Sequence, residues 1–224
     1  LDFVKDICKR QGKEFEFAFL LDALEEEQDQ GITIDTSQIF FNTKKRRYVI
    51  IDAPGHKEFL KNMVTGAANA ESALLLIDAH EGIQEQSRRH GYILKLLGLT
   101  QVAVVINKMD LVNYDPEVYY KIKSEYTKFL SSMGIKAREF IPVSAKSGVN
   151  IANPSEEISW YKGPSILGML DQFSEKQPPI HLPFRFPVQD VYKFDERRII
   201  SGRVESGTVK VGDQIVFSPS NKVG

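Results

Sequence analysis

The 224 residues carry 29 Lys and Arg against 30 Asp and Glu, a net charge of -1. No global field therefore draws the chain onto nucleic acid or an anionic membrane, although a local basic patch could still serve RNA. A single cysteine, Cys8, excludes an internal disulfide and a cysteine metal cage and fits a reducing cytoplasm; no apolar run approaches a membrane span and no signal peptide opens the sequence.

In chain order, residues 1–30 place apolar side chains at helical spacing, as in "FEFAFLLDALEEEQ", and predict a helix stopped by Gly31. "SQIFFNTKKRRYVIIDA" predicts a hairpin around a basic turn. Strands and helices then alternate. "ALLLIDA" predicts a strand and "QEQSRRHGYILKLLG" a helix closed by Gly98. "VAVVINK" is a strand, and "PEVYYKIKSEYTKFLSSMG" a helix opened by Pro116 and closed by Gly134. "EFIPVSA" is a third strand, followed by a looser segment and the short helix "PSILGMLDQF". Near-continuous apolar strands between helices predict an α/β domain with a mostly parallel sheet covered on both faces.

Composition changes at the prolines of "EKQPPIHLP". We divide the chain into an α/β domain over 1–177, a Pro-rich linker over 178–183, and the beginning of an all-β barrel over 184–224. The sequence opens at Leu1 inside a helical pattern and stops at Gly224 after a strand, which reads as a piece of a longer protein.

Polar residues at the strand ends carry the functional signal, because ligands of open α/β sheets lie there. "VVINKMDL" ends a buried strand in Asn107, Lys108 and Asp110. A guanine base suits that set. Its N1–H and exocyclic amine are adjacent donors for the Asp110 carboxylate, its O6 and N7 are acceptors for the Asn107 amide, and the Lys108 stem can cover a ring face. Adenine would set an acceptor against Asp110. The other reading is a strand running into a polar turn. "IIDAPGH" supplies Asp52, able to hold a water on Mg²⁺, and Gly55, whose N–H can approach a terminal phosphate; alone it could be a plain Pro-Gly turn. In "QGITIDT", Thr33 offers a hydroxyl to Mg²⁺ and an N–H to the γ-phosphate, a contact that exists only while that phosphate does. In "PVSAK", Ser144 and the Ala145 N–H can brace the base and Asp110. "KKRR" (44–47) reads as a solvated turn, and His80, His90 and His181 as surface or interface residues.

Taken together, "GITID…DAPGH…NMVTGAA…NKMD…SAK", followed by "FPVQDVY…GRVESGTVKVGDQIV", resembles the translation-factor branch of the G-protein GTPases across essentially the whole chain. The resemblance implies GTP/GDP and Mg²⁺ as cofactors and Lys146 beside Ser144 and Ala145 at the base. It also implies His56 as the residue that orients the attacking water, and Ile32 as an apolar screen over it. A G-x-x-x-x-G-K-[ST] phosphate loop, which such proteins carry at their start, does not occur in these residues. We expect truncation to account for that.

Within the branch two families compete. "LLDALEEEQDQGITID", with Gln30 where elongation factors usually carry Arg, and "NIANPSEEISWYKGPSILGMLD" resemble the GTPase subunit of bacterial sulfate adenylyltransferase. That reading, taken first, implies a catalytic adenylyltransferase subunit as partner and a role in sulfate assimilation. "DAPGHKEFLKNM" and "PVQDVYKFDERRIISGRVESGTVKVGD" are closer to elongation factors, which imply aminoacyl-tRNA and the ribosome. A non-hydrolysing scaffold of the same fold is the alternative from another class.

Overall fold

The structure, a computed structural model, describes residues 36–55, 57–68, 70–175, 179–195 and 197–224. The helix expected over 1–30, Ile32, Thr33 and His56 lie outside the described residues. The chain divides into two compact units, Leu1–Ser174 and Glu175–Gly224.

The first unit opens with the expected hairpin. Strands β1 (Ser37–Asn42) and β2 (Arg47–Asp52) pair antiparallel, with Phe40 opposite Val49. The basic turn is solvated at Lys44, Lys45 and Arg47, but its flanks are tied down. Thr43 Oγ1 and Tyr48 Oη both donate to Asp171 Oδ1, at 3.0 and 2.6 Å, and the Arg46 guanidinium donates to the Phe173 carbonyl at 2.8 Å. After a 3₁₀ turn, Lys57–Phe59, comes a helix the sequence reading passed over, α1 (Leu60–Ala67). Its Gly66 lets it lie against the hairpin: a Cβ there would stand 2.8 Å from the Thr36 methyl and 3.2 Å from the Ile51 Cγ2.

The alternating units follow as expected: β3 (Ala73–Asp78), α2 (Glu85–Leu96), β4 (Val102–Asn107), α3 (Pro116–Ser132), β5 (Phe140–Pro142) and α4 (Ile166–Leu170). The three strands form a parallel sheet in the order β3-β4-β5. The sequence signals are visible at the helix ends. Asp115 caps α3 by accepting from the Glu117 N–H at 2.8 Å, with Pro116 in the first turn, where its missing N–H costs nothing. Gly134 ends α3 at φ 76°, and Ile135 N–H closes onto the Leu130 carbonyl at 3.0 Å. Gly98 ends α2 the same way at φ 69°, with Leu99 N–H on the Leu94 carbonyl.

Alternation along β4 explains why its run is apolar throughout. Val102, Val104 and Ile106 face one core with Leu75, Ile77, Leu94, Tyr119, Ile122, Tyr126 and Leu130. Ala103 and Val105 face the other with Ile141, Val143, Met169 and Phe173. Both faces are covered, so a polar side chain is tolerated only at the strand's end.

In the second unit, β6 (Val188–Lys193) pairs with β7 (Arg198–Gly202), and β8 (Val216–Phe217) with β9 (Lys222–Val223), all antiparallel. Among the described residues these strands form two separate pairs, with Val188, Val191, Ile199 and Ile200 exposed. Pro179 and Pro183, expected in a linker, accept hydrogen bonds from Gly207 N–H and Ser206 Oγ of this same unit, at 3.0 and 2.7 Å.

Candidate functional site

Parallel register sets the site. Asp78 at the end of β3 lies opposite Asn107 at the end of β4, and Ile106 opposite Pro142 of β5, so the three strand ends stand side by side, with Ser144 two residues beyond β5. Backbone bonds lock them. Ala79 N–H donates to the Asn107 carbonyl at 2.8 Å, Val143 N–H to Ile106 at 2.8 Å, and Met109 N–H to Val143 at 3.1 Å.

Asn107 joins the two expected halves of the base site. Its Oδ1 accepts from the Ala145 N–H at 3.0 Å, which fixes the amide so that Nδ2 is the group left to donate. Ser144 is fully buried; its backbone bonds with Val149 close the loop 144–149, and its hydroxyl accepts from Ser147 N–H at 3.3 Å. Ala145 and Lys146 are exposed on that loop. The Ala145 N–H expected to brace the base thus acts through Asn107.

Lys108 leaves the strand in the left-handed region at φ 61° and starts the 3₁₀ turn Met109–Val112. Met109 is fully buried and anchors that turn beneath the sheet's end. Asn113 and Tyr114 are also left-handed, at φ 51° and 56°. Such residues cost roughly 1–2 kcal/mol each outside glycine, so tertiary contacts must hold the turn. Asn113 N–H bonds the Asp110 carbonyl at 3.3 Å and Tyr114 N–H the Met109 carbonyl at 2.8 Å, the double closure that ends a helical turn. The Asp110 carboxylate, partly buried on the turn, makes no hydrogen bond or ion pair among the described residues and keeps both oxygens for a ligand. A fixed amide donor and an uncommitted carboxylate three residues apart fit the edge of guanine.

Two residues escaped the sequence reading. Asp78 accepts from Lys108 Nζ at 2.6 Å, which draws the lysine stem across the strand ends. Burial alone would raise the Asp78 carboxyl, but hydrogen bonds from Lys108 and from the Glu81 and His80 N–H groups outweigh it and hold the carboxyl below its usual range; the same bond, with the Asp78 charge, raises Lys108. The terminal Asp of "ALLLIDA" matches Asp52 and Asn107 in position and could have signalled this. His90, expected at a surface or interface, is half-buried on α2, and its Nε2 lies 3.1 Å from the Gly55 carbonyl. A carbonyl only accepts, so Nε2 carries the proton. Burial first, and then the Arg89 charge, lowers the His90 pKa against the opposing hydrogen bond and favours the neutral ring. Gly55, the expected phosphate contact, is thereby tied to α2. Asp52 ends β2 half-buried.

A parallel sheet covered on both faces, with a fixed amide and a carboxylate at the end of its central strand, is the architecture of a nucleotide-binding α/β domain. Residues 3–177 match the family of the elongation factor Tu GTP binding domain. The chain belongs to that family, of which GTP or GDP and Mg²⁺ are the typical cofactors. Among relatives, elongation factor 1-alpha of Thermococcus gammatolerans is 43% identical over 214 residues, covering 95% of this chain and 50% of that protein. Among solved structures, a bacterial selenocysteine-specific elongation factor EF-Sec superposes with a TM-score of 0.59 at 29% identity, over 91% of this chain and 33% of the other. The elongation factor SelB of Methanococcus maripaludis, in complex with the GTP analogue GPPNHP, gives 0.56 at 27%, over 85% and 40%. The chain spans about half the length of the curated relatives it matches. Their identity corrects the order of the two sequence readings. The sulfate adenylyltransferase reading and its adenylyltransferase partner find no support in these relatives, which favour the elongation-factor reading. Of the features that favoured the sulfate reading, the Gln30 stretch lies outside the described residues, and the Trp160–Tyr161 segment lies in the loop before α4.

Proposed function

We propose that the chain is the nucleotide-binding part of an elongation-factor-type GTPase that acts in the cytoplasm and delivers aminoacyl-tRNA to the ribosome. The observation that carries the base assignment is the pairing of a fixed Asn107 amide with the uncommitted Asp110 carboxylate. The likeness to elongation factor 1-alpha at 43% identity supports the delivery role.

In this reading Asp110 accepts from guanine N1–H and the exocyclic amine, while Asn107 Nδ2 donates toward O6 and N7. The Lys108 stem, held by Asp78, covers one ring face, and Ser144, Ala145 and Lys146 form the loop that keeps Asn107 in place. Asp52 and Thr33 would hold Mg²⁺, Asp52 through a water. Bound there, the ion neutralises charge developing on the phosphates. Gly55 offers its N–H to the γ-phosphate while its carbonyl stays tied to His90. His56 orients water for attack, and Ile32 screens it until a partner acts.

The test uses the intact protein. Protection of aminoacyl-tRNA from deacylation is measured with GTP and with GDP, and adenylyl transfer to sulfate is assayed alongside. Protection with GTP and not GDP is the expected result. GTP-stimulated adenosine 5′-phosphosulfate formation, or GTP binding with neither hydrolysis nor tRNA capture, would contradict it.

A further inference from the structure

The strained turn that carries Asp110 is held at its far end by a side chain 46 residues away. Trp160 Nε1 donates to the Tyr114 carbonyl at 3.1 Å. Tyr114 is the last left-handed residue of the turn, and its own N–H is spent on closing the turn against Met109. Its carbonyl is therefore the group through which an outside contact can fix the turn's exit. The indole is itself well anchored. It lies against the Tyr119 ring at 5.1 Å and the Tyr120 ring at 6.1 Å. Tyr119 is fully buried on α3 and donates its hydroxyl to the Phe140 carbonyl of β5 at 2.9 Å. The preceding 3₁₀ turn, Glu156–Ile158, is pinned by buried Ile158.

We propose that Trp160 is a positioning residue for base recognition: its indole N–H, tied to the Tyr114 carbonyl, sets the 108–114 turn that aims Asp110 at guanine. The inference rests on the guanine reading given above. Asn107 then fixes the entry of the turn through Ala145, and Trp160 fixes its exit, so Asp110 is held from both sides. A purely space-filling role would need the ring alone. The positioning role needs the N–H, because that is the hydrogen bond by which Trp160 restrains the Tyr114 carbonyl, while the aromatic packing persists without it.

The test compares the intact wild-type protein with Trp160→Phe, and with a protein carrying benzothienylalanine at position 160, which keeps the indole shape and lacks the donor. Loss of one neutral hydrogen bond predicts about a three- to tenfold fall in affinity for GDP and GTP alike, with their ratio unchanged. The preference for GDP over IDP, which lacks the exocyclic amine, should narrow in both variants, since Asp110 no longer meets both donors squarely. General destabilisation would leave that preference where it was. Wild-type affinity and wild-type GDP/IDP preference in the benzothienylalanine protein would overturn the inference. Failure of the wild-type protein to prefer GDP over ADP would instead overturn the guanine reading beneath it.

Discussion

Asp78 and Lys108 show how an ion pair between two strand ends can hold a side chain in place. The Asp78 carboxyl is depressed in the folded state, so the stability it contributes is fully present above the unfolded carboxylate value near 3.8 and is lost as pH falls through the folded value. Lys108 is raised, so its share persists below 10.5 and disappears only as pH rises beyond its folded value. Half of the Lys108 side chain is exposed, and after allowance for solvent screening the pair contributes about 0.5 kcal/mol. Asp78→Asn should therefore lower the urea midpoint slightly at neutral pH, and the difference from wild type should shrink as pH falls through the folded value of Asp78. It should also weaken GDP binding, because the lysine stem loses its tether. An unchanged GDP affinity would confine the pair to the fold. Asp78 and His90 were hidden in the sequence because each acts across more than 29 residues, on Lys108 and on Gly55. Strand-end position gives a hint of the first; nothing local announces the second.

At the scale of elements, the hairpin stands apart from the parallel sheet and depends on Asp171 for its attachment. One carboxylate oxygen takes both Thr43 and Tyr48 hydroxyls. Burial first, and then the Asp171 hydrogen bond and charge, push the Tyr48 phenol up to about 12 from 10.0. A raised folded value means that the phenol stabilises the protein below 10.0 and ceases to do so as pH climbs through about 12. Asp171→Ala should bring the Tyr48 titration part of the way back toward 10.0 in an ultraviolet pH titration. It should also speed amide exchange over β1 and β2 while leaving α3 protected. Equal exchange in the two proteins would mean that the Arg46–Phe173 bond and α1 hold the hairpin without Asp171. The elements themselves were legible where local chemistry fixes them. Pro116 with Asp115 starts α3, Gly98 and Gly134 stop helices, and unbroken apolar runs mark strands buried on both faces. α1 was missed because its stretch, "LKNMVTGA", carries a β-branched pair and a glycine; its register is set by Gly66 seating against Thr36 and Ile51. In the second unit, period-two patterns specify strands and not what covers them.

For the whole molecule, motif order in the sequence was enough to place the chain in its family, with Asn107 and Asp110 at the end of β4 in the parallel sheet and Asp52 and Gly55 at the end of β2 in the separate hairpin. Within the family it put first the branch that the relatives do not support. A net charge of -1 gives the chain no global field that would draw it onto nucleic acid. Everything proposed for function depends on whether this sheet edge reads guanine. The measurement that tests this most directly is a binding titration of GDP and XDP against the intact wild-type protein and its Asp110→Asn variant. Replacing an acceptor pair by an amide should cost GDP on the order of 3 kcal/mol, more than a hundredfold, and should let the variant prefer XDP. Equal GDP affinity in the two proteins, or no gain of XDP binding in the variant, would contradict the account.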